Sequence, residues 1–409
     1  MFGRTDPNPI ALAGTIAACW LFLGAQCTPI PAPPPPPEGV VLAYAAGGLG
    51  ERVAVRASRD GVNWSDTALP APLSQLDGAP NGVGMAADAS GLGLLVAWGL
   101  GPTNTRSKYG LGSVFSQANP PVTWDSQVRN DDLASPGTAP SIAPFGQNGT
   151  AWLFAYGIPA PDGTMQAKLL LQPTAVPDAP GDSPRVDVAL PQPAITRLAG
   201  RPIVFARGRS RVLLAYQPDA GHSARVFVHA GDANPAQSNV TWEAIPWIRS
   251  LNEGWFNGHG VQGICLSGDG DQKFVMGALL AGTDVDGPQK GQQTRLVRLF
   301  RSSNGGRSFE PVQILLQSPS NPGATFPTQL YVDKASLFLG CALLPGGTDM
   351  LVTVTQRFDD GTVGSQVIRV AAAGTYESVP QPDLDTKMFN RPPQMLPFAL
   401  MAIGRAANP

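Results

Sequence analysis

The densest group of side chains able to grip a ligand lies in IPWIRSLNEGWFNGHG, which carries Arg249, Glu253, Trp255, Phe256 and His259 in one short segment. Aromatic faces beside a guanidinium and a carboxylate suit a sugar ring or an anionic group, through stacking and forked hydrogen bonds. Further cationic candidates sit in GPTNTRSKYG (Arg106), SQVRNDDLAS (Arg129) and QPDAGHSAR (Arg225). Patterns that do covalent or metal chemistry are missing from the sequence. The three histidines form no HExxH, and neither G-x-S-x-G nor GxxxxGK[ST] occurs. The aspartates of SGDGDQ and GTDVDG lack the distal Glu of a calcium loop and read as turns between strands. These residues therefore predict ligand binding, with no catalytic set, no metal and no cofactor.

Such loops need a scaffold, and composition says which kind. With 47 Gly and 42 Pro in 409 residues and only 14% charged residues, the chain is rich in tight turns and poor in the Glu, Lys and Arg that coat exposed helices. An all-β protein is expected. A net charge of -2 supplies no positive field for phosphate backbones, so nucleic acid is not expected as a partner.

Short apolar strings recur along the chain: VLAY (ending at Tyr44), LVAW (Trp98), LFAY (Tyr156), LLAY (Tyr216), and the degenerate VMGA (Ala278) and VTV (Val354). Their spacings are 54, 58, 60, 62 and 76 residues. A second series follows them. ASRDGVNWS places Ser58, Asp60, Gly61 and Trp64 in order, and RSSNGGRSF places Ser302, Asn304, Gly306, Ser308 and Phe309. Extended through Trp124, Val186, Trp242 and Tyr376, this series has intervals of 60, 62, 56, 67 and 67. Two series sharing one period define a repeated strand-turn-strand unit.

The second series resembles the Asp-box, S-x-D-x-G-x-T-W, of sialidases and other BNR-repeat proteins. The first copy is one residue short, and the second has Asn for Asp and Phe for Trp. The resemblance implies a β-propeller in which the box is a fold element between the third and fourth strands of a blade, opposite the ligand face. Six units fill residues 39 to 400, so the expected fold is a six-bladed β-propeller of four-stranded antiparallel blades. The first unit lacks an innermost strand, and MLPFALMAIG (395–404) is expected to supply it, closing the ring. Cys265 and Cys341 each stand thirteen residues before their unit's reference position (Ala278 and Val354), at matching heights on adjacent inner strands, where a disulfide fits. For sialidase activity the resemblance implies three arginines, a Tyr nucleophile with a Glu, and an Asp acid. The family's Phe-Arg-Ile-Pro segment is absent here, and Tyr44, Tyr156 and Tyr216 occupy the repeat's structural position.

Ahead of the repeats, Ile10 to Ala25 is an uncharged, largely apolar run, short for a membrane span and suited to a signal-peptide core. Residues 1–27 thus read as an export signal. Ile16-Ala17-Ala18-Cys19 resembles a bacterial lipobox, and Cys27 sits where the apolar run ends, so lipidation at either and ordinary cleavage all remain open. Residues 28–38 read as a polyproline II spacer before the propeller of 39–409. The expected protein is extracytoplasmic, secreted or lipid-anchored at the envelope, and monomeric. It is a non-catalytic binding or scaffold propeller whose partner is a glycan or an envelope protein, the alternative being a sialidase-type glycoside hydrolase.

Overall fold

A computed structural model describes residues 39–46, 52–59, 63, 65–67, 80–87, 92–100, 105–114, 122–131, 141–145, 151–162, 164–173, 186–192, 198, 202–206, 210–218, 224–252, 256–285, 291–312, 315–318, 321–327, 330–332, 339–344, 348–357, 363–371, 376–378 and 398–403. The signal segment with Cys19 and Cys27, and the proline-rich run, lie outside them. The described residues form antiparallel strands and one 3-10 turn, Pro235–Gln237, with no α-helix among them.

Strands are grouped in chain order into sheets. The first sheet contains Gly39–Ala46, Arg52–Ser58 and Ser65–Thr67, with the distant Phe398–Ile403 paired alongside Gly39–Ala46. In the second, Pro80–Ala87, Leu92–Leu100, Thr105–Val114 and Val122–Asp131 pair in sequence, as do Ser141–Phe145, Ala151–Pro159, Met165–Pro173 and Val186–Asp187 in the third. The fourth runs Ile203–Ala206, Arg211–Tyr216, Arg225–Asn234 and Asn239–Trp242; the fifth Phe256–Asp269, Lys273–Asp284, Gln293–Ser302 and Glu310–Pro311; the sixth Leu339–Leu343, Met350–Arg357, Val363–Val370 and Tyr376–Ser378. Contacts between sheets run through their first strands. Pro80–Ala87 meets Ser141–Phe145, which meets Ile203–Ala206, then Phe256–Asp269, then Leu339–Leu343. Phe398–Ile403 touches both Leu339–Leu343 and Pro80–Ala87. The arrangement is that of an all-β propeller.

The recurring apolar strings are the second strands of the sheets from the second onward, and their burial explains their composition. Trp152, Phe154 and Tyr156 face a cluster with Ala86 and Ile142 of the preceding strands, while Leu153 and Ala155 face Val204, Val212 and Leu214 of the fourth sheet. Both faces are covered, so alternation disappears and an unbroken apolar run results. Each large side chain buried there contributes about 1.5–3 kcal/mol.

Two sheets depart from four equal strands. In the fourth, a fifth strand, Trp247–Ser250, pairs with the same third strand as Asn239–Trp242, so the outer edge is broken around the exposed Ile245. In the fifth, Leu330–Val332 pairs with Arg295–Val297 while Glu310–Pro311 pairs with Phe300 and Arg301, and the hairpin Leu315–Ser318 and Asn321–Pro327 lies between them in sequence. That inserted hairpin accounts for the 76-residue spacing where the other units need about sixty.

Specific polar ties cross between sheets. The Ser141 hydroxyl donates to the Val204 carbonyl at 3.2 Å and accepts from the Val204 amide at 3.3 Å. Arg211, 4% exposed, donates from Nε to the Gly305 carbonyl (2.6 Å), from Nη1 to Asp232 (3.1 Å) and from Nη2 to Glu243 (2.5 Å). Its amide donates to Asp271 at 3.1 Å, so the aspartate of the SGDGDQ turn is a tie between the fourth and fifth sheets. The Leu343 amide donates to the Ser267 hydroxyl at 3.0 Å, and a disulfide joins Cys265 to Cys341, with Cα atoms 5.7 Å apart, between the fifth and sixth.

Candidate functional site

The Ser302–Phe309 turn is built from its own side chains. Ser302 Oγ accepts from the Gly306 amide (2.9 Å), and Asn304 Oδ1 accepts from the Ser308 amide (3.0 Å) while its Nδ2 donates to Ser308 Oγ (2.8 Å). Gly305 and Gly306 take φ of 72° and 80°, a left-handed backbone that favours glycine. Phe309 is buried, with Trp247 against it at 5.2 Å between ring centroids. Every polar group of the box is thus spent on the turn, leaving Asn304 a structural part. Ser58 is likewise buried, while Asp60, Gly61 and Trp64 lie outside the described residues. In the fourth sheet the corresponding turn is the 3-10 segment, with Asn234 Oδ1 accepting from the Gln237 amide.

The opposite end of the fifth sheet is of another character. Its first strand, Phe256–Asp269, is 14 residues long, against 4 to 8 for the other first-position strands. The extra length is its beginning, Phe256 to Gln262, which follows the Arg249–Trp255 segment. Register shifts fall between Gly258 and Gly260 and between Val261 and Gly263. Bulges of this kind re-aim side chains and are enriched near binding sites. Here Asn257, His259 and Gln262 are exposed, whereas described first-strand residues of the third, fourth and sixth sheets are buried or half-buried.

Neighbouring groups hold this segment in place. Gln217, buried on the fourth sheet, accepts from the Val261 amide through Oε1 at 3.0 Å, inside the second irregularity. Asn252 Oδ1 accepts from the Gly258 amide at 3.1 Å. His259 Nε2 lies 3.1 Å from Thr283 Oγ1, on the strand opposite. Gly258 and Gly282 are paired and both crowded: a Cβ on Gly258 would come 2.7 Å from Asn252 Oδ1, and one on Gly282 would strike the Asn257 carbonyl. Phe256 is buried beneath them.

Of the candidates named from sequence, His259 belongs to this segment. Arg225 and Arg249 are exposed on the third and outermost strands of the fourth sheet, and the register, Arg225 opposite Ser250 and Val226 opposite Arg249, puts them on opposite faces. A single carboxylate cannot be forked between them without spanning the sheet. Glu253 and Trp255 lie outside the described residues. Arg106 and Arg129 sit on adjacent strands of the second sheet, opposite Gly99 and Tyr109 respectively. Sequence reading passed over Asn257, Gln262 and Thr283; the signal was NGHGVQG, where glycines alternate with polar residues inside a strand.

Two tyrosines and one histidine of the core are held neutral. Burial raises the Tyr216 phenol to about 12, and burial followed by the Asp187 charge does the same to Tyr156. His229, stacked on Tyr216 with Nε2 3.3 Å from its hydroxyl, is lowered to about 4 by burial. At Glu243 burial works upward, but the hydrogen bond and charge of Arg211, then of Arg307, outweigh it and hold the carboxyl below its usual value.

Fold and site together define an all-β propeller with a bulged polar segment at one end of its fifth sheet. No family model matches the sequence, and no curated protein matches it. Solved structures similar in fold include a B. megaterium levansucrase mutant (8% identity, 75% of this chain and 86% of that one, TM-score 0.43). A thermostable family-43 glycoside hydrolase is another (11%, 74% and 95%, TM-score 0.40). So is a Penicillium chrysogenum alpha-L-arabinanase complexed with arabinobiose (10%, 74% and 81%, TM-score 0.43).

Proposed function

We propose that this chain is an exported, envelope-associated propeller of six blades, completed by its C-terminal strand, which binds a glycan or an envelope protein without turning it over. The six-blade reading is supported by the cyclic order of first-strand contacts, with Phe398–Ile403 between the sixth and second sheets and paired to the first. The export reading rests on the apolar run Ile10 to Ala25 and the proline spacer.

The observation that carries the binding reading is the twice-bulged segment 256–262, on which Asn257, His259 and Gln262 are exposed and which Gln217 and Asn252 buttress. Against turnover stand Tyr156 and Tyr216, buried and protonated far above neutral pH, hence unsuited to attack a sugar. The test is a broad panel of glycoside reporters, sialosides included, given to the purified protein. No hydrolysis is expected. Turnover abolished by Arg249→Ala or Glu253→Ala would overturn the non-catalytic reading, and an intact mass retaining residues 1–27 on the exported form would overturn signal cleavage.

A further inference from the structure

We infer that the bulged end of the fifth sheet is a subsite for an uncharged saccharide, recognised through amide, hydroxyl and imidazole groups; this rests on the binding reading above and specifies its ligand. The groups it presents are the amides of Asn257 and Gln262, the imidazole of His259 and the hydroxyl of Thr283. An amide offers both donors and acceptors, as does a hydroxyl, and this matches the mixed donor and acceptor character of sugar hydroxyls. A carboxylate ligand, by contrast, requires donors in a fork, which guanidinium provides.

Within the fifth sheet, the described charged residues nearest this end are buried or half-buried. Asp284, paired with Phe256 on the neighbouring strand, is fully buried. Arg298, 4% exposed, points its Nη1 at the Leu251 carbonyl (3.1 Å) and lies over the Phe300 ring, 5.5 Å from its centroid. The exposed cations nearby, Arg225 and Arg249, belong to the third and outermost strands of the fourth sheet and lie on its opposite faces, so they do not form one grip on an anion. The exposed side chains described at the start of the fifth sheet's first strand, Asn257, His259 and Gln262, and at the start of its third, Gln293, carry no carboxylate or guanidinium.

The geometry also has the rigidity that sugar selection needs. Weak ligands with many hydroxyls bind well only where the partner groups are already placed, since ordering them on binding offsets the hydrogen bonds gained. Val261 and Gly258 are each held by a side chain from outside the strand, and His259 is oriented by Thr283. The two crowded glycines, Gly258 and Gly282, keep the hairpin narrow beneath the exposed row.

The full-length protein is presented to immobilised neutral oligosaccharides (cello-, xylo-, arabino- and mannooligosaccharides) and to sialyllactose and oligogalacturonate as charged probes. Asn257→Ala, His259→Ala and Gln262→Ala are compared with the unaltered chain, each first checked for an unchanged thermal midpoint. Binding of at least one neutral probe is expected, weakened about tenfold by one or more of the three substitutions, the worth of one or two hydrogen bonds. Binding confined to the charged probes would overturn the inference and leave the glycan-binding function standing. Neutral binding that all three variants retain would overturn this location, and capture of no saccharide would overturn the inference altogether. Cleavage of a captured probe, read by mass spectrometry on the same surface, refutes the non-catalytic function separately.

Discussion

Replacing Arg211 by Met removes a cation that joins three carriers of negative charge or dipole across two sheets, and the loss can be worked out from its surroundings. The guanidinium is 4% exposed and donates to the Gly305 carbonyl, Asp232 and Glu243. Breaking a fully buried pair costs about 3–5 kcal/mol. Here Asp232 is 58% exposed and Glu243 29%, and Glu243 keeps Arg307 at 3.0 Å, so those carboxylates are stranded only in part. The Gly305 carbonyl has no such relief, and losing its donor costs about 1–3 kcal/mol. The expected total is about 2–4 kcal/mol. Arg307→Met touches the same carboxylate from a position 57% exposed and should cost under about 1 kcal/mol. Urea unfolding at pH 7, followed by fluorescence, measures both. Equal midpoints for the two variants would refute the claim that burial, rather than charge count, makes this tie strong.

Three further outcomes are expected. Burial lowers His229 to about 4, so between its unfolded value near 6.5 and that point the unfolded chain binds a proton the folded one does not. Stability should fall with decreasing pH across that window, by on the order of 3 kcal/mol, and His229→Phe should flatten the slope; an unaltered slope in the variant would rule this histidine out as its source. Gly306→Ala places a Cβ against Leu213 at a φ of 80°, and should destabilise by at least about 2 kcal/mol in the same urea assay, whereas Ser303→Ala, exposed in the same turn, should be near neutral. Reducing the Cys265–Cys341 disulfide, with a sequence separation of 76, removes up to about 4.5 kcal/mol in the chain-entropy account. A Cys265→Ala/Cys341→Ala variant as stable as the oxidised protein would show that the unfolded chain is not restrained by the bridge.

Much of the site was hidden by the nature of its ties. Arg225 and Arg249 stand in sequence as separate candidates; that they cannot grip one anion together follows from the alternation of side chains between the faces of a sheet, and is known only once Arg225 is seen to oppose Ser250. The NGHGVQG segment carried a bulge signal, but how its polar residues are held depends on Gln217 and Asn252 reaching it from outside that strand.

What the residue order determined by itself was the repeat: strands covered on both faces must be apolar throughout, so LFAY and LLAY announce themselves, and the box turn is closed by side chains within a few residues of each other. Tertiary structure alone decided the rest. Arg211 meets Gly305 across 94 residues, Ser267 meets Leu343 across 76, and Phe398–Ile403 pairs with Gly39–Ala46 from the far end of the chain. Such contacts leave no local pattern, because one polar residue placed at a sheet boundary looks the same in sequence as one facing water. Only the packing of sheet against sheet excludes that water and makes the partner obligatory.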